Sequence, residues 1–309
     1  MGTQISYGKA DIRLYRTYAR PLTGLAVIPE SPYAGRPNTL FAVNVEVEVF
    51  GDNFLPAYTQ GDNSNVVATD TMKNFVLRQA LAFDGATLEG WLEFLGRQFL
   101  TTYPVMQSLR VSGREQPFVA ARVPADDAQG FADSGVLFSR SHDDAAVAAI
   151  DLERRGDEIV VTSHECGRVG MQLIKLTGSA FASFARDSYT TLPEVTDRPL
   201  FIYLDVFWKY ADAAQMLAAD HAGYIAAEQV RDVVQAVFHQ FVSMSIQHLV
   251  HEIGVRLLER FPQMAEVSFA AQNRLWDTAF VAEDDPRLKV YTDPRPPYGS
   301  IRLKLTRDA

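Results

Sequence analysis

Thr69 and Asp70 place a hydroxyl and a carboxylate at a junction between loop and helix, a setting in which a small anion can be held. The residues before them, Asp62-Asn63-Ser64-Asn65-Val66-Val67, are turn chemistry closed by a β-branched pair. From Ala68 onward the chain reads as a helix opening, with Thr69 or Asp70 able to cap it. The unpaired N–H groups of a first helical turn, and the helix dipole, favour negative charge just outside the helix. An ordinary cap is the plainer alternative. His248, His251 and Glu252 form a second constellation, since histidines three apart share a helix face and can bind a divalent metal. That pair lacks HExxH order and any cysteine partner, and a solvated helix face accounts for it better. No GxGxxG, GxxxxGK[ST] or GxSxG occurs. The residues therefore point to no metal and no cofactor, which leaves side chains or the substrate to supply any chemistry.

The elements that must position these groups follow from a repeat. Leu95 to Met106 lies 158 positions before Ile253 to Met264 and matches it apolar for apolar, with Gly, Pro and Met in register. At the same offset Phe41 to Phe50 faces Pro199 to Trp208, and both end in period-two alternation. With one residue of slip, Gly8 to Arg16 also matches Gly167 to Lys175. Each copy reads as strand, strand, helix, helix, strand, strand. The helices are expected near 68 to 83 and 86 to 103, then 225 to 243 and 245 to 261, with a domain boundary near Gly156 that gives units 1–156 and 157–309. Phe75, Ala80, Phe83, Leu88, Trp91, Leu92, Leu95 and Phe99 recur at helical spacing and form a stripe that lies on a sheet. Short connections and a helix pair imply an antiparallel sheet with helices on one face, an α+β architecture. Segments 19 to 38 and 281 to 299, rich in proline, read as irregular excursions.

Composition narrows the function classes. The chain has 309 residues, 47% of them hydrophobic, enough for a substantial core. A net charge of −9, without a basic block, argues against nucleic acid. No window approaches 18 continuous apolar residues and no apolar leader core opens the chain, so neither a membrane partner nor secretion is expected. The single cysteine, Cys166, suits a reducing, cytoplasmic setting.

Tyr7-Gly8-Lys9, the run Asn63-Ser64-x-Val66-Val67-Ala68-Thr69-Asp70-x-x-Lys73-Asn74, and Asp187-Ser-Tyr-Thr-Thr-Leu192 resemble, in order and spacing, the signatures of the urate oxidase family. The resemblance implies two tunnelling-fold (T-fold) units per chain. It also implies four subunits assembled into a barrel with a through-tunnel and active sites between subunits. Lys9 and Thr69 then resemble the catalytic pair, in which the lysine takes the threonine proton, supplied by separate subunits. Asp70 would contribute its backbone N–H. Phe181 resembles the residue on which the purine stacks, and Arg198 the guanidinium that grips its carbonyl and ring nitrogen. Gln247 would hold the opposite edge, with Ile246 contributing backbone, and Asn273 would face the oxygen site. Taken alone, each has a bland reading: Lys9 as a solvated lysine, Phe181 as core, Arg198 as surface, Gln247 as a polar helix residue. The chain departs from the family pattern at Leu275, where many members carry a histidine. Water, Gln272, Arg274, or the Lys9 and Thr69 pair alone would have to complete the proton relay. The implied reaction is oxidation of urate by O₂ and water to 5-hydroxyisourate and hydrogen peroxide without a cofactor. A T-fold zinc enzyme acting on a pterin or guanine nucleotide through His248 and His251, and a purine-binding module without turnover, are the rivals.

Overall fold

The computed structural model describes residues 4–125, 129–140, 142–274 and 276–307. In chain order the elements are β1 (Ser6–Thr17), β2 (Leu40–Phe50), α1 (Leu55–Thr59), α2 (Thr69–Ala82), α3 (Leu88–Thr102) and β3 (Ser108–Glu115). There follow β4 (Phe118–Pro124), β5 (Phe131–Arg140), β6 (Ala145–Arg155), β7 (Glu158–Lys175) and β8 (Leu200–Tyr210). The chain closes with α4 (Ala213–Leu217), α5 (Ala227–Gln240), α6 (Ile246–Arg260), β9 (Met264–Arg274), β10 (Thr278–Val281), β11 (Lys289–Tyr291) and β12 (Gly299–Thr306). Two compact units result: one of Met1–Val27, Tyr33–Gly167 and Lys209–Ala226, the other of Ile28–Pro32, Arg168–Trp208 and Ala227–Ala309.

In the first unit β1, β2, β3, β6 and the first part of β7 are neighbours in that order, with antiparallel register at β1–β2, β2–β3 and β3–β6. Alternate residues of β2, Val43, Val45, Val47 and Val49, are fully buried. They present one face of the sheet to the helix layer, in which α2 packs on β1 and α3 on β3 and β6. In the second unit the last part of β7, then β8, β9 and β12, lie side by side, and α6 packs on β9 and β12 beside α5. Ile202, Leu204, Val206 and Trp208 of β8 are its buried alternates. This is the expected α+β arrangement, with the strands of each unit covered on one face by helices. Two additions were not expected: the hairpins β4–β5 and β10–β11, each a separate two-stranded ladder.

The repeat holds to the residue in the helices, because α4, α5 and α6 begin and end 158 positions after α1, α2 and α3. Gly96 and Gly254 show why glycine recurs in the match. A Cβ at Gly96 would lie 2.5 Å from Leu152, and one at Gly254 would lie 2.6 Å from Leu305, so each helix reaches its sheet only without a side chain there. The early strands differ. Burial falls on odd residues in β2 and on even residues in β8, so the true offset there is 159, and the match of Phe41 to Pro199 is one residue out of register. A slip of one flips a strand's faces, which makes burial the decisive arbiter.

One polar cluster sits inside the first unit. Glu89 is buried and accepts a hydrogen bond from the Tyr224 hydroxyl at 2.7 Å. Burial pushes its carboxyl up from the ordinary 4.5 to about 7, while the Tyr224 hydrogen bond pulls down and the charge of Glu115 adds to the rise. Burial also raises the Cys166 thiol and the Tyr224 phenol, each with Glu89 as a second cause. A carboxyl that binds its proton more tightly when folded contributes stability that is full below the unfolded value and lost as pH rises through the folded one. Here the window runs from pH 4.5 to about 7, and the contribution lost is about 3 kcal/mol. Glu89→Gln should therefore flatten the decline of the thermal midpoint between pH 5 and 8, and an unchanged slope would contradict this assignment.

Candidate active site

The first group of candidate residues meets at the edge of β1. A Cβ at Gly8 would lie 1.9 Å from the Val47 carbonyl oxygen, so only glycine lets β1 lie this close to β2 just before Lys9. Immediately after Lys9 the register shifts by one residue, and Asp11, at φ +57°, gives its carboxylate to Arg13 and Asn44. Such a bulge re-aims the side chains beside it. Two residues before Lys9, the Tyr7 hydroxyl accepts the Val67 N–H at 3.1 Å, two residues before Thr69. The strand carrying Lys9 is thus fastened to the start of α2 within one chain, which favours one copy supplying both Lys9 and Thr69 over separate subunits.

At that helix start the cap differs from the sequence reading. Thr69 is the first helical residue and Ala68 the cap, with no side chain accepting from the first turn. Asp70 turns instead to Lys73, at 2.5 Å, and to Asn74, at 3.2 Å. The Lys73 contact leads the causes that hold its carboxyl below the ordinary range, and the charge of Lys9 is among the rest. The opening turn keeps its N–H groups outward beside the half-buried Thr69 hydroxyl, which suits an anionic ligand.

The second group is built in the other unit from three short segments. Phe181 and Val195 exchange backbone hydrogen bonds at 2.8 and 2.9 Å, the Arg198 N–H reaches the Ser179 carbonyl at 2.8 Å, and the Ala180 N–H reaches the Ser243 carbonyl at 2.8 Å. Segment 178–181 therefore lies between the strand lead carrying Arg198 and the loop that ends at Ser245, the cap of α6. Asp197 fixes the corner: its carboxylate accepts from Thr177 Oγ1 at 2.6 Å and from the Gly178 N–H at 2.7 Å, which holds its pKa down. The Phe181 ring stacks on Phe184 with centroids 4.9 Å apart, and the Arg198 guanidinium carbon lies 5.7 Å from the Phe181 centroid. Burial lowers the Arg198 pKa, yet its Nε is enclosed with no hydrogen-bond partner among the described residues. A buried guanidinium N–H without an acceptor is costly unless something else supplies one. Ile246 is buried, and Gln247, second residue of α6, is exposed.

Asn273 comes from β9, opposite Gly299 of β12. Along β9 the buried Phe269 and Ala271 alternate toward the helices, so Asn273 shares their face, while Gln272 and Arg274 take the other. There Arg274 is gripped between the Tyr203 and Tyr298 rings, 4.3 and 4.1 Å away, and donates to Gln272. Neither side chain is on the side of Asn273. Leu275 lies outside the described residues. The Asp187 to Leu192 run is a closed turn, in which Asp187 accepts from the Tyr189 N–H and the Thr190 hydroxyl. His248 contacts the Phe241 ring and His251 faces Glu252. Among the described residues no group of three His, Cys, Asp or Glu is placed to hold a metal ion.

The family model described as Uricase matches residues 5–156 and 164–302. The chain belongs to the uricase family. It is 45% identical over 304 residues to the protein named "Uricase" of Halalkalicoccus jeotgali, covering 98% of both chains. It is 44% identical over 308 residues to the "Uric acid degradation bifunctional protein PucL" of Bacillus subtilis, where it covers all of this chain but spans only 62% of that protein's length. Among solved structures, urate oxidase from Bacillus sp. TB-90 superposes with a TM-score of 0.93 at 44% identity, covering 98% of this chain and all of that one. The T-fold follows from these neighbours. No helix among the described residues is long and apolar enough to cross a membrane.

The hydrogen bonds around the site also show what sequence reasoning passed over. Tyr7 enters as part of a signature but acts as the tie between strand and helix. Asp197, Ser179 and Ser243 were not singled out. The signal for Asp197 was local: an aspartate immediately before Arg198-Pro199, where a carboxylate can cap a neighbouring turn.

Proposed function

We propose that this chain oxidises urate with O₂ and water to 5-hydroxyisourate and hydrogen peroxide, without a cofactor. The observation that carries the reading is the buried Arg198 Nε, without a hydrogen-bond partner among the described residues, beside the Phe181 ring in a chain of the uricase family. In this account a urate anion stacks on Phe181, and Arg198 and Gln247 hold its opposite edges. Arginine suits a planar, two-pronged contact with a carbonyl and a ring nitrogen. Lys9 and Thr69 carry protons between urate and the water that adds to its ring, and Asp70 offers its N–H at the open helix start. Asn273 holds O₂ and then water above the ring, with Ile246 lending backbone. Urate gives up two electrons and O₂ takes them with two protons, so atoms and electrons balance. With Gln272 and Arg274 turned away, the relay rests on Lys9, Thr69 and water.

The catalytic edge lies in one unit and the ligand wall in the other. We assign the complete site to two copies of the chain, in a homotetramer whose repeats are 1–156 and 157–309, working in the cytoplasm. The buried Cys166 thiol suits that compartment. The test follows urate absorbance and peroxide together with a chelator present. Loss of urate with one peroxide per urate is expected, and unchanged urate would overturn the proposal.

A further inference from the structure

The first unit contains a counterpart of the Phe181 wall, and it is closed. Leu22 and Arg36 exchange backbone hydrogen bonds at 2.9 and 3.0 Å, as Phe181 and Val195 do 159 positions later. Leu22 thus stands where Phe181 stands, and Thr39 where Arg198 stands. The α3 cap Thr87 accepts from the Gly90 N–H at 3.1 Å, and the α6 cap Ser245 accepts from the His248 N–H at the same distance, 158 positions on. Leu88 and Glu89 therefore take the places of Ile246 and Gln247. The two walls differ in what faces them. Gln247 is exposed and Arg198 Nε has no partner among the described residues, whereas Glu89 is buried and bonded to the Tyr224 hydroxyl. Tyr224 packs in one apolar cluster with Leu22, Leu25, Ala86 and Ala226. It sits on the segment before α5, whose Ile225 N–H is tied to the Tyr210 hydroxyl, just as Val67 before α2 is tied to Tyr7.

We propose that Tyr224 is a built-in ligand. Its phenol ring fills in the first unit the place that Phe181, Arg198 and Gln247 keep open for a ring in the second, and Glu89 takes the hydroxyl edge as Gln247 would take a purine edge. The first wall is then a latent site for a phenol-sized aromatic with one hydroxyl donor, filled by the chain itself. A hydroxyl facing a buried carboxyl satisfies both groups, and apolar Leu22 and Ala86 replace the polar grip that a free ligand needs.

Removing the ring should reopen the place. Tyr224→Ala is expected to lower the thermal midpoint by on the order of 10 °C. Phenol at about ten times its dissociation constant should then restore about 2 °C, saturably. Toluene, which cannot satisfy Glu89, should restore less, and phenol should leave the parent chain's midpoint unmoved. Absence of recovery with phenol, or an equal shift in the parent, would overturn the proposal. Should Tyr224→Ala not fold, Tyr224→Phe keeps the ring and strands Glu89. Adding Glu89→Leu to it should then raise the midpoint again, and a further fall would be contrary. The inference borrows the reading of Phe181, Arg198 and Gln247 as a ligand wall, but the midpoints are measured without urate. Failed turnover and failed phenol recovery are thereby told apart.

Discussion

Replacing Lys9 with methionine is expected to lower the turnover number for urate by about a hundredfold to ten-thousandfold while KM stays within about threefold. Methionine keeps the length and apolar stem of the side chain, so the bulge after Lys9 and the Tyr7 tie to Val67 need not change. On the proposed reading, what disappears is the group that would exchange a proton with Thr69. Removing a general base acts on the reacting complex and not on the binding of substrate, hence the separation between turnover and KM. Thr69→Ala should fall in the same range. Because Thr69 does not cap α2, its loss removes no capping hydrogen bond from that helix. A double variant no worse than either single one would show the two acting as a unit. Steady-state rates of urate loss at saturating and limiting urate read both parameters directly. A rise in KM matching the fall in rate would contradict the role.

Arg198→Ala is expected to act the other way, raising KM by about thirtyfold to a thousandfold, with a smaller loss of turnover. Two charge-assisted hydrogen bonds to a urate edge contribute roughly 2 to 4 kcal/mol, and each factor of ten in binding is about 1.4 kcal/mol. The geometry supports an effect at the upper end. The guanidinium is already half-buried and fixed by its own backbone hydrogen bond to Ser179 and by Asp197 at the corner, so little ordering remains when urate arrives. The same variant should not cost much stability, because the buried Nε has no hydrogen-bond partner among the described residues to lose. Equal effects of Arg198→Ala and Lys9→Met on KM and turnover would refute the division between gripping and proton transfer. The thermal midpoint, measured alongside, checks the second half of this expectation.

Much of the scaffold was legible from apolar spacing. The stripe from Phe75 to Phe99 and the Gly, Pro and Met shared by the two helix pairs fix α3 and α6, because a helix that must lie close to a sheet has few choices at Gly96 and Gly254. Strand register was less legible. One-residue slips preserve composition, and only burial shows that β2 and β8 correspond at 159 and not 158. The cap at α2 was misread because Thr69 and Asp70 are both good capping residues. Asp70 is drawn off by Lys73 and Asn74, an interaction within the helix that the capping pattern does not weigh. Phe181 sits on an isolated bridge to Val195, and Arg198 is held by its backbone bond to Ser179, both in an irregular segment where no periodicity marks them. Their family position alone singled them out. The placement of Gln272 and Arg274 on the face away from Asn273, by contrast, needed only strand alternation, once β9 was known to extend through Arg274.

The central claim is that urate is oxidised at a site joining the Lys9 and Thr69 edge of one copy to the Phe181, Arg198 and Gln247 wall of another. Co-expression of Lys9→Met chains with Arg198→Ala chains tests it most directly. At urate near the parental KM each variant alone should be nearly inactive, Lys9→Met through lost turnover and Arg198→Ala through weakened binding. In mixed oligomers formed at random, about a quarter of the sites would unite an intact edge from one chain with an intact wall from the other, so about a quarter of parental turnover should return at the parental KM. Co-expressed chains no more active than the separate variants would contradict a site shared between copies.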